Sequence, residues 1–159
     1  MSASEPAAVT RFKEAHTAAG GGGRVVILPD SVHTAALAAE ALGCEVGAIA
    51  NSLVFDAGGS PVLILTSGSH RVDTTATATR IGVPALKRAT PEFVREHTGQ
   101  VIGGVSPLAH PSPVPTYLDT DLRRFDEIWA AAGHPAAVFS TTYDELLRMT
   151  GATEIEVDG

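Results

Sequence analysis

The sequence of 159 residues contains a single cysteine, Cys44. One thiol excludes an intramolecular disulfide and any zinc site built on paired cysteines, and it is typical of a protein kept in a reducing cytosol. Cys44 follows Gly43, which marks the end of a predicted helix, and precedes an acidic residue. This position favours a buried, inert thiol over a nucleophile, because a reactive thiolate needs a neighbouring positive charge.

Basic residues, aromatic residues and long apolar runs are also scarce. Eleven lysines and arginines against eighteen acidic residues give a formal net charge of −7. This charge argues against a general nucleic-acid binder but leaves room for a local basic patch. Aromatic residues make up 5% of the chain, so valine, leucine, isoleucine and alanine must build the core. No apolar run reaches the roughly 18 residues of a membrane span, so no membrane contact is predicted.

Hydrophobic patterning predicts one α+β domain with a mixed sheet. Apolar residues make up 44% of the chain, enough for a normal core. Short apolar runs joined by glycine turns predict antiparallel hairpins, with helices packed around the sheet. Strands are predicted at 24–29, 52–55, 61–66, 127–132, 136–140 and 153–157, and helices at 9–19, 34–42, 74–81, 90–97 and 142–149. The expected division is a flexible segment, 1–23, with a short helix that ends at four glycines, followed by a domain over 24–159.

The stretch from Gly103 to Pro111 combines turn residues with a histidine. Its two glycines permit a positive φ or a close backbone approach, and its two prolines fix φ and remove amide donors. Apolar residues on both sides predict a rigid loop between two strands, which presents its few remaining N–H groups to a ligand. The plain alternative is a connection between strands in which His110 is incidental.

Residue spacing disfavours two catalytic classes. The six histidines, at positions 16, 33, 70, 97, 110 and 134, show neither the H-x-x-x-H pattern nor a carboxylate at ligand spacing, so no metal site is predicted. The stretch from Gly104 begins like the G-x-S-x-G nucleophile motif but lacks its final glycine, and Pro107 has no N–H for an oxyanion hole. Ser106 is therefore predicted to be a contact or turn residue. What remains is a pocket without a nucleophile, made from polar residues at strand ends and loops: Asn51, Thr66, Ser67, Ser69, His70, Arg71, Ser106, His110 and Asp119.

Three segments together resemble the YbaK/EbsC family, which is related to the editing domain inserted in bacterial prolyl-tRNA synthetases. They are residues 42–55 (LGCEVGAIANSLVF), 68–73 (GSHRVD) and 102–111 (IGGVSPLAHP). Each alone would be a weak signal, whereas their order and spacing are fairly specific, and the resemblance spans roughly residues 24–157. It implies a single domain with a curved, barrel-like, mostly antiparallel mixed sheet surrounded by helices.

The resemblance implies a trans-editing deacylase, which hydrolyses the ester of a mischarged aminoacyl-tRNA, typically cysteinyl- or alanyl-tRNA for proline. It implies no metal and no cofactor: the terminal ribose hydroxyl of the substrate assists the reaction, and loop amides hold the scissile carbonyl. The implied partner is a tRNA acceptor end, a prolyl-tRNA synthetase is a further candidate, and a cytoplasmic monomer or homodimer is expected.

Carried onto this sequence, the family's catalytic positions are Asn51, Gly104 and His110. We expect the three segments to meet in one cleft. The expected substrate contacts are Ser52, Thr66, Ser67, Ser69, His70, Arg71, Gly103, Ser106, Pro107, Ala109 and Asp119.

Two residues depart from the family pattern. The family usually has a lysine that meets the 3′ end of the substrate where this chain has Asn51, so a charge and its charge-assisted hydrogen bonds are lost. The family loop usually reads Gly-x-x-Pro-x-Gly, and its last position is Ala109 here, whose methyl group narrows the pocket or opposes a left-handed backbone. A second hypothesis therefore stays open: a non-catalytic or substrate-altered member that binds an aminoacyl-tRNA 3′ end or a small nucleotide or amino-acid ligand. Under the first hypothesis, Asn51→Lys is expected to raise deacylation.

Overall fold

Strands and short helices alternate along the chain. The structure, a computed structural model, describes residues 6–29, 31–32 and 34–158. Residues 1–5, which belong to the predicted flexible segment, and His33 lie outside this description. The elements in chain order are α1 (Ala7–Ala18), β1 (Val25–Ile27), α2 (Ala35–Leu42), β2 (Ile49–Ala57), β3 (Ser60–Ser67), α3 (Thr74–Ile81), β4 (Lys87–Arg88), α4 (Pro91–Thr98), β5 (Thr116–Asp119), β6 (Ile128–His134), β7 (Ala137–Thr141), α5 (Tyr143–Thr150) and β8 (Thr153–Ile155), with single 3-10 turns at Val46–Ala48 and Thr120–Arg124.

All eight described strands belong to one sheet. Their order is β1-β7-β6-β2-β3-β5-β8, and β4 pairs with β2 off this path. The β1/β7, β2/β3, β2/β4 and β6/β7 pairs are antiparallel, whereas β2/β6, β3/β5 and β5/β8 are parallel. Both predicted hairpins, β2–β3 and β6–β7, therefore lie in the same sheet, and the predicted mixed sheet with surrounding helices is confirmed.

Local sequence signals explain most of these elements. The β2–β3 hairpin turns at Gly58 and Gly59, whose φ angles are 68° and 97°, and the Gly59 N–H donates to Asp56 Oδ1 at 2.6 Å. Positive φ at both central residues matches the twist of the flanking strands. Four helices begin at a side chain that accepts the N–H three residues on, at Thr34, Asp73, Thr90 and Thr142. Each such cap contributes about 1 kcal/mol, so these helix starts could be predicted from the sequence.

The loop after α4 differs from the prediction. Val101 and Ile102 were expected to form a strand that leads into the loop, but Ile102 is 50% exposed. The Gly104 N–H donates to the Val101 carbonyl at 3.0 Å, which closes a turn. Because this turn uses the backbone groups that a ladder would need, the loop runs from α4 to β5 rather than between two strands.

The N-terminal helix packs on the sheet. Val9 and Phe12 of α1 are fully buried in the largest apolar cluster of the protein. The glycine run that follows is closely packed, since a Cβ on Gly23 would lie 1.6 Å from the Ser140 carbonyl oxygen. This close approach, which only glycine permits, differs from the flexible connector expected of the run. The division of the chain at residue 23 stays a prediction.

Strand β2 lies where three apolar clusters meet. Ala50 belongs to the largest cluster, Ile49 packs with Trp129 in the cluster under α2, and Phe55 packs in the cluster that includes Ala78 of α3. Each fully buried aliphatic or aromatic side chain contributes about 1.5–3 kcal/mol. The middle of β2 is therefore held in a fixed place between well-packed regions.

Candidate functional site

Strand β2 has an open edge at its middle. One edge pairs with β3 from Ala50 to Ala57. On the other edge, β6 pairs only with Ile49 and Ala50, and β4 pairs only with Phe55 and Asp56. No strand of the described chain pairs with residues 51–54 on this edge. Because strand residues direct their N–H and C=O groups alternately to the two sides, two of these four residues present backbone polar groups to the gap.

Two cavities meet at this gap. The first has a volume of about 470 Å³ and the second about 590 Å³, and Asn51, Ser52, Ile102 and Gly103 line both. We call these four residues the central ridge. The first cavity is otherwise mostly apolar and is lined by Leu28, Val32, Thr34, Ala35, Ala38, Ile49, Ala50, Trp129, Ala130, Ala131, Pro135 and Val138. The second contains two arginines and is lined by Leu53, Val54, Phe55, Arg71, Val72, Thr74, Arg88, Ala89, Val94 and Val105.

Two polar side chains of β2 belong to the central ridge. Asn51 is exposed, whereas the Ser52 hydroxyl oxygen is buried and has no hydrogen-bond partner among the described residues. A buried polar atom without a partner costs about 1–3 kcal/mol. The Ser52 hydroxyl is therefore a group that a polar ligand atom could satisfy.

The turn at residues 101–104 supplies the other half of the ridge. Gly103 has a φ of 87°, which suits the third position of a type II turn. A Cβ on Gly104 would lie 2.6 Å from the backbone of His134 and of Pro135, so the turn is pressed against the β6–β7 hairpin. The Gly104 N–H closes the turn on Val101, so it is less available to a substrate carbonyl than an N–H without a partner. The Gly103 N–H makes no hydrogen bond within the described chain and is the better candidate donor.

The rest of the loop is held by internal hydrogen bonds. The buried Gln100 side chain accepts the Ser106 N–H at 2.7 Å and donates to the Leu108 carbonyl at 3.1 Å. The Ser106 hydroxyl is fully buried and donates to the same carbonyl at 2.5 Å. Ala109 has a φ of 65°, so its methyl group does not block the left-handed backbone that the sequence pattern suggested. Ser106 and Ala109 thus shape the loop and line neither cavity.

His110 lies on a different surface from the central ridge. Together with Pro107 it lines a separate depression next to Met149 and Thr150, and its Nε2–H donates to the Ser106 carbonyl at 2.8 Å. Burial lowers the pKa of His110, and the Ser106 carbonyl raises it by a smaller amount. The expected catalytic place of His110 in the cleft is therefore not found, and its contacts are those of a loop anchor.

A buried carboxylate collects most of the other predicted polar residues. Asp119 is 1% exposed, and its Oδ2 accepts from Ser67 N–H at 2.9 Å, Thr66 Oγ1 at 3.2 Å and His70 Nδ1 at 2.9 Å. Its Oδ1 accepts the Asp121 N–H at 3.0 Å. We call Asp119 with Thr66, Ser67 and His70 the Asp119 cluster.

Two further contacts extend the Asp119 cluster. His70 Nε2 lies 3.4 Å from Asp121 Oδ2, and the Ser67 hydroxyl donates to the Gly47 carbonyl and contacts the Ser69 hydroxyl. None of these residues lines either cavity. Their geometry fixes the end of β3 and the loop after it.

The three predicted segments do meet, but through fewer residues than expected. The second cavity is lined by Asn51 and Ser52 from the first segment, Arg71 from the second and Gly103 from the third. Sequence reasoning missed Ile102, Arg88 and the loop-holding Gln100. The one available signal was the position of Ile102 beside two glycines, because a large apolar residue at a turn tip is unusual.

The described residues contain neither a group of metal ligands nor a membrane-spanning helix. No three histidine, cysteine or carboxylate side chains there are grouped as a metal ion would need. In the same part of the chain, no helix has the length and apolarity to cross a membrane.

Comparison with known proteins agrees with this architecture. Residues 29–149 match the sequence profile of the aminoacyl-tRNA editing domain. The uncharacterized protein YwhH of Bacillus subtilis is 38% identical over 112 residues, which are 69% of each protein. The proline–tRNA ligase of Levilactobacillus brevis is 30% identical over 82 residues, which are 52% of this chain and 14% of the ligase. A crystal structure described as a proposed trans-editing enzyme for prolyl tRNA synthetase has 44% identity and a TM-score of 0.91, and the match covers 98% of this chain and 99% of that one.

Proposed function

We propose that this chain, which belongs to the aminoacyl-tRNA editing domain family, hydrolyses the ester bond of a mischarged aminoacyl-tRNA in trans. Its likeness to a proposed trans-editing enzyme for prolyl tRNA synthetase makes cysteinyl- and alanyl-tRNA for proline the first candidate substrates. The observation that carries the proposal is the central ridge, where Gly103, whose N–H has no hydrogen-bond partner in the described chain, lines both an apolar cavity and a cavity with two arginines.

In this proposal, each part of the substrate has its own cavity. None of the described residues that line the first cavity is charged, which suits the side chain of a small apolar or thiol-bearing amino acid. The second cavity contains Arg71 and Arg88, which suit the phosphates at the 3′ end of a tRNA. The ester bond that joins the two parts then lies over the central ridge.

The chemistry needs no nucleophile from the protein. Water attacks the ester carbonyl carbon, the carbonyl oxygen becomes an oxyanion, and the bond from the carbonyl carbon to the ribose oxygen breaks. The ribose oxygen takes a proton, which the neighbouring ribose hydroxyl can relay, and free amino acid and tRNA leave. An N–H donor placed at the oxyanion typically lowers the barrier by about 2.7–4 kcal/mol, and the Gly103 N–H is the proposed donor.

We place the reaction in the cytoplasm, with the tRNA acceptor end as the partner. A prolyl-tRNA synthetase that releases mischarged tRNA is a further proposed partner. The proposed oligomeric state is a monomer or a homodimer.

A pair of glycine variants tests the proposed donor. Gly103 and Gly59 both have positive φ, and an added Cβ would contact no atom within 4 Å at either position. Gly103→Ala and Gly59→Ala should therefore strain the backbone by similar amounts, about 1 kcal/mol each. We expect only Gly103→Ala to slow deacylation, by at least about tenfold, because it adds a methyl group at the ester and shifts the N–H. Equal rates in the two variants would refute the role of Gly103.

A second candidate function is binding of aminoacyl-tRNA without hydrolysis. Asn51 favours it, because a neutral amide stands at the position where the family usually has a lysine. Deacylation of alanyl- and cysteinyl-tRNA for proline by the wild type separates the two candidates. Faster loss of the acyl group than in buffer supports the deacylase. Binding of the charged tRNA with no acceleration supports the non-catalytic candidate.

A further inference from the structure

Arg71 occupies a particular place in the second cavity. It lines this cavity together with Asn51 and Ser52, and its side chain is exposed. Within the described chain it has neither an ion pair nor a hydrogen bond. The nearby carboxylate of Asp73 caps α3 by accepting the Ala76 N–H. Arg71 is thus an uncommitted cation on the cavity wall that also contains Asn51.

Most other arginines are already engaged. Arg80 donates to the carbonyls of Glu156 and Asp158, and Arg148 donates to the carbonyl of Ala19. Further contacts pair Arg123 with Glu154 and Arg124 with Asp121, and set Arg24 over the Trp129 ring. Among the described residues, Arg71 and Arg88 are the arginines that line the second cavity without such a contact, which makes them the candidate ligand groups.

Arg88 is the other arginine of the second cavity. Its register partner on β2 is Phe55, four residues beyond Asn51, or about 13 Å along the strand. Asn51 instead pairs with Thr66 near the end of β3, and the loop that contains Arg71 begins after Ser67. We therefore take Arg71, whose loop begins beside the β3 partner of Asn51, as the candidate cation for position 51.

The Asp119 cluster gives this loop a fixed geometry. Asp119 holds Ser67 and His70 at 2.9 Å each, so the residue directly before Arg71 is tied to a buried carboxylate. A fixed backbone reduces the entropy that Arg71 loses when it binds a ligand. The hydrogen bond between His70 and Asp119 thus relates the Asp119 cluster to the site, because it holds the loop that contains Arg71.

We infer that Arg71 is the phosphate-binding cation of the site and supplies the positive charge that Asn51 lacks. The inference rests on the proposed function and adds the residue that meets the 3′-terminal phosphate of the RNA. A guanidinium group can donate two parallel hydrogen bonds to one phosphate group. Asn51 can then bind the ribose or the ester through its amide without any need for charge at position 51.

Reciprocal substitutions test this inference. Arg71→Gln should lower kcat/KM for deacylation by about tenfold or more, mainly through KM, because one charged hydrogen-bonding group is lost. Arg71→Lys should restore much of that loss. Asn51→Lys introduced into Arg71→Gln should recover part of the lost activity, because it restores a positive charge at the central ridge. Arg11→Gln is the matched control, since Arg11 is exposed, has no partner in the described chain and lines neither cavity.

A salt series identifies the phosphate. Loss of one phosphate contact should lower the slope of log affinity against log salt by about 0.7 for single-stranded RNA. The Arg71→Gln variant should show this smaller slope, and both Arg71→Lys and the Arg71→Gln, Asn51→Lys double variant should recover it. An unchanged KM and slope in Arg71→Gln would overturn the inference while leaving the deacylase proposal intact.

A separate probe distinguishes this inference from the proposed function. If the wild type deacylates no mischarged tRNA, the proposed function fails, and the same variants are measured by binding of an uncharged acceptor-stem RNA hairpin. Weaker, less salt-dependent binding by Arg71→Gln alone, rescued by Asn51→Lys, would still support Arg71 as the phosphate ligand. No binding of the hairpin by the wild type at low salt would overturn it.

Discussion

The Asp119 cluster gives the sharpest stability prediction. In Asp119→Asn, one amide oxygen can keep the three donors that now reach Oδ2, but these bonds lose their charge. The amide NH₂ then faces the Asp121 N–H, whose bond to Oδ1 is lost. Hydrogen bonds to a charged group contribute about 1.5–3 kcal/mol and neutral ones about 0.5–1.5 kcal/mol, so weakening the three bonds costs about 3–4 kcal/mol and losing the fourth costs about 2 kcal/mol. The hydrogen bond from His70 contributes less to this sum than the others, because His70 is 23% exposed and water screens its charge.

Urea denaturation of the wild type and Asp119→Asn measures this loss. Asp126→Asn is the control, because Asp126 is exposed and has no partner within the described chain. It should change the free energy of unfolding by less than about 0.5 kcal/mol. At a temperature where Asp119→Asn remains folded, its KM for aminoacyl-tRNA should also rise, because the loop that contains Arg71 is loosened. A stability loss below about 1 kcal/mol would refute the account of the cluster.

Three further predictions concern single residues. Ala109→Gly should raise the free energy of unfolding by about 1 kcal/mol in urea denaturation, because Ala109 has a φ of 65°, and a stability loss would contradict this. Burial holds the pKa of His110 below its ordinary 6.5, so the unfolded state binds more protons, and stability present above about pH 6.5 is lost as the pH falls. His110→Gln should make that fall between pH 7.5 and 5 shallower, and an identical pH profile would contradict this. Ala38→Leu, which narrows the first cavity, should lower deacylation of cysteinyl-tRNA relative to alanyl-tRNA by about tenfold or more, and an unchanged ratio would contradict the assignment of that cavity.

Local chemistry explains why helix starts and hairpins could be predicted from the sequence. Thr90 followed by Pro91 begins α4, and Gly58–Gly59 turns between β2 and β3, as the sequence indicated. In both cases the decisive interactions join residues within about four positions, so no knowledge of the sheet order is needed.

The site was harder to predict, because it depends on register between distant strands. The parallel pairing of Leu65 with Leu118 brings Asp119 beside Thr66, so several residues that were predicted to contact the substrate hold the loop after β3 in place. The proposed donor differs from the predicted one for a related reason: the turn at 101–104 uses the Gly104 N–H and leaves that of Gly103 without a hydrogen-bond partner in the described chain. A motif identifies such a loop but does not show which of its amides are already used.

The central claim, that this chain hydrolyses mischarged aminoacyl-tRNA, is tested most directly by single-turnover deacylation with excess wild-type protein. The substrates are alanyl-, cysteinyl- and prolyl-tRNA for proline, each measured against its spontaneous hydrolysis in the same buffer. The account predicts faster loss of alanine or cysteine than in buffer, with prolyl-tRNA unaffected, since an editing protein must spare the correct product. No acceleration for either mischarged substrate, or equal acceleration for prolyl-tRNA, would contradict it.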